Sequence, residues 1–319
     1  MILLIFVLWA AMAITFPVGK LALEFCASPV QLIGLRMSLA GILILGYIAF
    51  KRILTKKTLL PAKIPFSDLL IFIKVAIFHV YLAFVCEFWA LEFLDSIKVN
   101  LLFSLTPLIS AVLAFLLIGQ RLEQKKWVGL ILGGGGMLAI MATQNFGELG
   151  WKRFFIFSLP ELVLMIGIIS ACYAWFLIRK LTSRGYSLLT INGIAFLLGG
   201  LACLIQFWLT KTGAQTFLPN AGGLKLFGLI GILILASNIV GYGLYGKLLR
   251  SYSNTFLSLT GFLCPIFGAI YSQIFSGLFP HYFCPEPITG LYIFGFVLIL
   301  FGLLTFYSQE ILSNRSGFL

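Results

Sequence analysis

Charge is the first thing this chain lacks. Only 10% of its 319 residues are Asp, Glu, Lys or Arg, against roughly 25% in a soluble domain. Hydrophobic residues make up 61% and the mean hydropathy is +1.08. So little polarity cannot cover a water-facing surface, and the solvent for most of the chain is lipid. Histidine is scarcer still, at two residues, and no CxxC or His-x-x-His spacing occurs, so neither a metal nor another cofactor is expected. The six cysteines form no framework. Cys86, Cys172, Cys203 and Cys264 fall in apolar runs, where the side chain packs as a small hydrophobe. Cys26 and Cys284 fall at the outer ends of runs, where pairing is open but free thiols are expected. No nucleotide-binding motif is present, which leaves exchange or an ion gradient to drive any transport. The alternation of a membrane barrel, in segments of about ten residues, is missing too.

Long apolar runs are abundant. Met1–Gly19, Val99–Gln120, Trp127–Gly147, Leu162–Ile178, Gly185–Thr210, Leu226–Gly246, Ser251–Cys284 and Pro287–Gln309 carry no charged residue. Pro29–Phe50 carries Arg36, and Leu69–Leu91 carries Lys74 and Glu87 as well as His79. About 20 apolar residues cross a bilayer as a helix, and in lipid each backbone N–H must bond within its own segment. The fold class expected is therefore an all-α membrane protein of ten transmembrane helices. The opening run lacks the basic stretch of a signal peptide and is read as the first span.

Loop charges give the orientation. With the amino terminus in the cytoplasm, inner segments such as Lys51–Lys57, Arg121–Lys126 and Arg179–Arg184 bring the inner count to fourteen cations against five outside. That bias predicts an inner-membrane protein with both termini cytoplasmic. It also accounts for the net charge of +12 through anionic lipid, without a nucleic acid. The expected partners are a small-molecule substrate and membrane lipid, with oligomeric state, a homodimer included, left open.

The chain repeats itself. Ser104-Leu-Thr-Pro107-Leu-Ile-Ser-Ala111 matches Phe262-Leu-Cys-Pro265-Ile-Phe-Gly-Ala269 at an offset of 158. Glycine-bearing final spans follow both segments, and Phe16 and Lys20 in the first span align with Phe176 and Lys180. The expected domains are 1–147 and 148–319, each of five spans. An odd number of spans makes the two copies inverted, and inverted repeats can exchange conformations to open a central site to either side. Pro107 and Pro265 are the matched helix breakers and candidate hinges. The commonness of Pro in membrane helices is the plainer explanation. The Gly133–Gly136 run lies mid-span with no Lys or Ser/Thr after it, so close helix packing is expected there rather than phosphate binding.

Residues Ala90–Asn100, continuing through Leu105-Thr-Pro107 to Gly119-Gln-Arg-Leu122 and Trp127-Val-Gly129, resemble the EamA domain of the drug/metabolite transporter superfamily. The opening Trp9–Glu24, Ser28-Pro29 and Leu35-Arg36 are similar to the first two helices of that domain. The resemblance covers nearly the whole chain and is stronger in the first half. One departure is Gln120, where the family usually has an acidic residue before Arg-Leu. A surface pair is worth about 0–1 kcal/mol, so the fold does not hang on it. The resemblance implies alternating access for a small metabolite and does not supply the substrate. The Phe-rich, short-loop style is also similar to the S-adenosylmethionine/S-adenosylhomocysteine exchangers of chlamydiae. That narrower resemblance implies S-adenosylmethionine as substrate, with an amino acid or another exported metabolite as the alternative.

Ionisable residues at bilayer depth cost about 2.5–3.5 kcal/mol on insertion scales and are functional candidates. Arg36 can hold a carboxylate with its planar fork, or simply pair with Glu87. Glu87 can hold a cationic substrate or a coupling proton. His79 can relay protons or donate to a backbone carbonyl. Lys20 shares a stripe with Trp9 and Phe16 that faces either a cavity or the headgroups. Trp9, Tyr173, Trp175, Tyr242 and Tyr245 are placed to stack on a heterocycle or cation. Asn192 and Asn238 can bond substrate or bridge helices. An intramembrane lipid-modifying enzyme would need a nucleophile, a base and metal ligands together, and His281 has no such neighbours in sequence. A non-transporting assembly subunit is the third class.

Overall fold

The computed structural model describes residues 2–55, 64–119, 123–145, 158–210, 223–249, 251–252, 257, 260–283 and 289–315. Lys56, Lys57, Gln120, Arg121 and Cys284 lie outside the described residues. Every regular element among those described is helical: α1 (Ile2–Ala13), α2 (Thr15–Leu23), α3 (Pro29–Thr55), α4 (Phe66–Val75), α5 (Ala83–Phe93), α6 (Ser96–Phe103), α7 (Thr106–Ile118), α8 (Gln124–Asn145), α9 (Leu159–Ser183), α10 (Leu188–Thr210), α11 (Gly223–Leu233), α12 (Tyr242–Leu248), α13 (Cys264–Leu278) and α14 (Gly290–Arg315). Joined end to end where they run on, they include eight helices long and apolar enough to cross a membrane. Burial is inverted relative to a protein in water. Leu209 and Leu224 are 78% and 90% exposed, while Arg36 is 0% exposed, so the surface is built for an apolar solvent.

Local chemistry sets the ends and breaks. Ser28 caps α3 by accepting from the Gln31 N–H (3.2 Å), and the Gln31 side chain reaches back to the Ala27 N–H (2.7 Å). This is a capping box shifted by one residue, with Pro29 at the first helical position. Ser187 caps α10 in the same way, accepting from Thr190 N–H at 3.1 Å. Pro17 has no N–H to offer the carbonyl four residues back, and the helix is irregular at Ile14, between α1 and α2. Ser104–Leu105 form a turn before Thr106-Pro107, and Gly261–Leu263 tighten to a 3₁₀ turn before Cys264-Pro265. Each proline thus opens a new helix.

Two longer irregularities match as well. Ala76–Leu82, between α4 and α5, and Ile234–Gly241, between α11 and α12, are π-helical. They begin 158 positions apart, the offset that separates Pro107 from Pro265. Such turns insert a residue into the helical ladder and are frequent at functional sites.

The described chain divides into two compact units. One comprises Val18–Leu94 and Val163–Gly246, and its main packing is α3 against α10. Here glycine allows backbone contact: a Cβ on Gly34 would lie 2.7 Å from Leu204, and one on Gly41 would lie 2.5 Å from the Leu197 amide nitrogen. The pairs run in opposite directions along the two helices, which are therefore antiparallel. Gly193 and Gly200, on α10, stand 159 positions after Gly34 and Gly41 and face α3 in return.

The other unit comprises Met1–Pro17, Asp95–Leu162 and Lys247–Leu319. Its main packing is α8 against α14, antiparallel again: Gly136 meets the Gly295 carbonyl, and a Cβ on Gly302 would lie 2.6 Å from the Gly129 carbonyl. Gly133 rests against Phe262, which belongs to a core with Leu101, Leu130, Met137 and Ile299. The glycine run serves close packing, as its mid-span position suggests. Asn100 donates to the Cys264 carbonyl (3.1 Å) and Tyr292 to the Pro265 carbonyl (2.8 Å). Each unit draws helices from both halves of the sequence.

Candidate substrate site

Six of the sequence candidates gather in the unit built on α3 and α10. Arg36, on α3, is fully buried. Its Nε donates to Asn238 Oδ1 at 3.1 Å and its Nη2 to Ser237 Oγ at 2.5 Å. Nη1 has no hydrogen-bond partner among the described residues. The guanidinium carbon lies 5.3 Å from the Phe84 ring centre and 5.6 Å from that of Phe88, cation–π geometry that helps hold a desolvated charge. Phe84, Glu87 and Phe88 share a face of α5 by their spacing of three and four. Glu87 is buried and acts on the guanidinium through space, yet no ion pair joins the two among the described residues. The neutral Asn238 and Ser237 hold Arg36 instead.

His79 lies within the first π-helical stretch and is 2% exposed, with neither ring nitrogen hydrogen-bonded among the described residues. Aromatic rings surround it. Trp175 and Tyr242 present edges at 5.4 Å, Phe196 stacks at 6.4 Å and 17°, and Phe84 lies at 6.4 Å. Trp175 also packs on Tyr245 at 4.4 Å. Phe84 thus neighbours both the guanidinium and the imidazole. Asn238 and Ser237 come from the second π-helical stretch, so both π-turns feed this one site.

The remaining candidates are engaged elsewhere. Trp9 belongs to the other unit, where Nε1 donates to Thr260 Oγ1 at 2.7 Å. Lys20 Nζ donates to the Leu94 carbonyl at 2.6 Å. The stripe expected from Trp9, Phe16 and Lys20 is interrupted at Ile14, and Phe16 packs on Phe103 at 5.9 Å. Tyr173 packs on Phe78 at 5.0 Å. Lys74 is exposed. Asn192 is buried with its Oδ1 unpartnered among the described residues.

Sequence reasoning missed Ser237, Phe84, Phe88 and Phe196. It also missed a polar latch at the start of α4: Asp68 pairs with Arg184 and accepts from the Tyr186 hydroxyl at 2.8 Å. Burial, with the bond to Asp68, pushes the Tyr186 phenol above its usual range, so it remains a donor at neutral pH.

Residues 1–142 match the model of the EamA-like transporter family. The S-adenosylmethionine/S-adenosylhomocysteine transporter of Chlamydia trachomatis serovar L2 is 30% identical over 268 residues, spanning 82% of this chain and 78% of that protein. The chain belongs to the EamA-like transporter family. A transporter of the same description from Chlamydia muridarum is 29% identical over 82% of this chain and 80% of its own length. A solved crystal structure 15% identical in sequence has the same fold, with a TM-score of 0.62 over 94% of this chain and 92% of that one. EamA membership makes this a multi-pass membrane transporter, not an enzyme. Among the described residues no group of three metal-ligating side chains occurs.

Proposed function

We propose that this EamA-like protein imports S-adenosylmethionine in exchange for S-adenosylhomocysteine across the inner membrane by alternating access. The observation that carries the reading is Arg36: a fully buried guanidinium with Nη1 unmatched among the described residues, beside Glu87 and a cluster of aromatic rings, in a chain about 30% identical to transporters so named. A guanidinium takes a carboxylate, Glu87 takes an ammonium, and the faces of Trp175 and Tyr242 take a sulfonium or a flat ring. Arg36, His79, Glu87, Trp175, Asn238 and Tyr242 are the proposed contacts. Trp9, Lys20 and Tyr173 have none in this reading.

The architecture proposed is ten crossings in two inverted repeats, 1–147 and 148–319, with both termini cytoplasmic. Support comes from features that recur at an offset of 158 or 159: the π-turns, the prolines and the glycine pairs of α3 and α10. Antiparallel packing of corresponding helices is what an in-plane two-fold axis produces. Pro107 and Pro265, each at the start of a half-helix, are the proposed hinges. The excess of inner cations supports the orientation.

Uptake of a labelled panel by cells expressing the chain tests the substrate. S-adenosylmethionine should accumulate, and S-adenosylhomocysteine should compete. Movement of amino acids without S-adenosylmethionine would replace this reading with an EamA-type amino-acid carrier.

A further inference from the structure

His79 is the least comfortable group in the molecule. A neutral imidazole has one N–H donor and one acceptor, and both nitrogens are buried without a partner among the described residues. Leaving a buried polar group unmatched costs about 1–3 kcal/mol, and native structures rarely accept it without a reason. The plain explanation for a core histidine, donation to a carbonyl, fails here because no such bond is made among the described residues. A second group nearby is in the same condition: Nη1 of Arg36, whose guanidinium also neighbours Phe84. Arg36 is bonded by Ser237, and Ser237 stands 158 positions after His79 in the matching π-turn. One π-turn therefore holds the cationic group, and the other offers an unsatisfied ring.

We infer that His79 is the specificity-determining residue of this site: its imidazole reads the edge of a purine-type ring, while Arg36 Nη1 holds a carboxylate at the other end. The inference rests on the transport reading above and assigns recognition of the substrate's nucleoside ring to His79. The chemistry of the surroundings selects the ring. Phe84, Trp175, Phe196 and Tyr242 around His79 are flat and apolar. They suit a heteroaromatic face. An adenine edge carries a ring-nitrogen acceptor and an amine donor; the two imidazole nitrogens diverge, so His79 makes one bond to that edge, donating to the ring nitrogen or accepting from the amine. A site built to hydrogen-bond its ligand rejects analogues that lack the matching group far more strongly than an apolar pocket does. Methionine alone lacks the ring and adenosine alone lacks the carboxylate, so each should bind weakly.

Counterflow of labelled S-adenosylmethionine into proteoliposomes holding the full-length protein tests this. On the wild type, one of the 7-deaza and N6,N6-dimethyl analogues of S-adenosylhomocysteine, whichever loses the group that His79 meets, should compete about tenfold less well than the parent, the effect of one lost bond to a buried group. His79→Phe, which keeps a ring and removes both polar nitrogens, should raise KM by about tenfold or more. It should also abolish inhibition by 5′-methylthioadenosine while leaving inhibition by methionine unchanged. His79→Gln, which keeps a donor and an acceptor, should recover most of the affinity. Because His79→Phe removes unmatched polar groups, it should melt no lower than the wild type, which separates a lost contact from a lost fold. Wild-type counterflow indifferent to the ring-edge analogues overturns the inference and leaves the transport reading standing. So does a His79→Phe variant that keeps normal KM, loses both inhibitor classes equally, or changes only its response to a proton gradient. No S-adenosylmethionine counterflow at all overturns the transport reading, and the inference with it.

Discussion

Arg36 is fully buried within a membrane protein, where a guanidinium with nothing to bind is costly. Two of its three nitrogens are met by Asn238 and Ser237, and hydrogen bonds to charged groups are worth about 1.5–3 kcal/mol each. Lysine keeps the charge and loses the planar fork. Arg36→Lys should therefore lower S-adenosylmethionine counterflow by about tenfold or more while the protein still reaches the membrane. Normal transport by that variant would make Arg36 scaffold. Cys26 gives a second test at this scale. Burial pushes its thiol up to about 12, and the thiolate is the reactive form, so maleimide should label Cys26 slowly at pH 7 in native protein and rapidly after unfolding. Fast native labelling would contradict the packing around residues 23–28. Ionisable candidates were legible because any charge stands out in an apolar run, and Arg36, His79 and Glu87 were found that way. Phe84, Phe88 and Phe196 were not, since nothing distinguishes a functional Phe among 32. The pairing of Arg36 with Asn238 and Ser237 rather than Glu87 depends on which helices meet, and spacing within one span does not carry that information.

Helix pairs hold each unit together through glycine contacts, and this makes their energetics checkable. A Cβ on Gly200 would collide with the Ser38 backbone, whereas one on Gly46 would meet nothing within 4 Å. Overpacking costs about 1–3 kcal/mol. Gly200→Ala should lower the melting temperature in detergent, while Gly46→Ala should hold or raise it because alanine is the better helix former. Equal melting of the two would contradict the α3–α10 register. The Asp68–Arg184–Tyr186 latch joins α4 to the turn between α9 and α10. Asp68→Asn should lower melting slightly, through the lost ion pair with Arg184 and a weakened phenol bond, and should leave substrate KM unchanged. A raised KM would place Asp68 in the binding machinery. Spans were readable from apolar length, whereas the caps at Ser28 and Ser187 came from the structure. The π-turns were not, because no residue type announces an inserted residue, and only their recurrence at one offset reveals that both belong to a pattern.

At the scale of the molecule, the two sequence halves do not correspond to the two compact units, because each unit takes helices from both. Such interleaving is invisible to a reading that proceeds along the chain, even where Pro107 and Pro265 mark the proposed repeat. The proposed ten crossings would put both ends of the polypeptide on one side, so tags at the amino and carboxyl termini should be equally protected in sealed, right-side-out vesicles. Protection of one tag alone would remove the inverted-repeat architecture. Exchange is the more direct test of function. Proteoliposomes loaded with S-adenosylhomocysteine should take up labelled S-adenosylmethionine, empty ones should take up little, and Arg36→Lys should abolish the difference. Uptake that ignores the internal load, or none by the wild-type protein, would contradict the account.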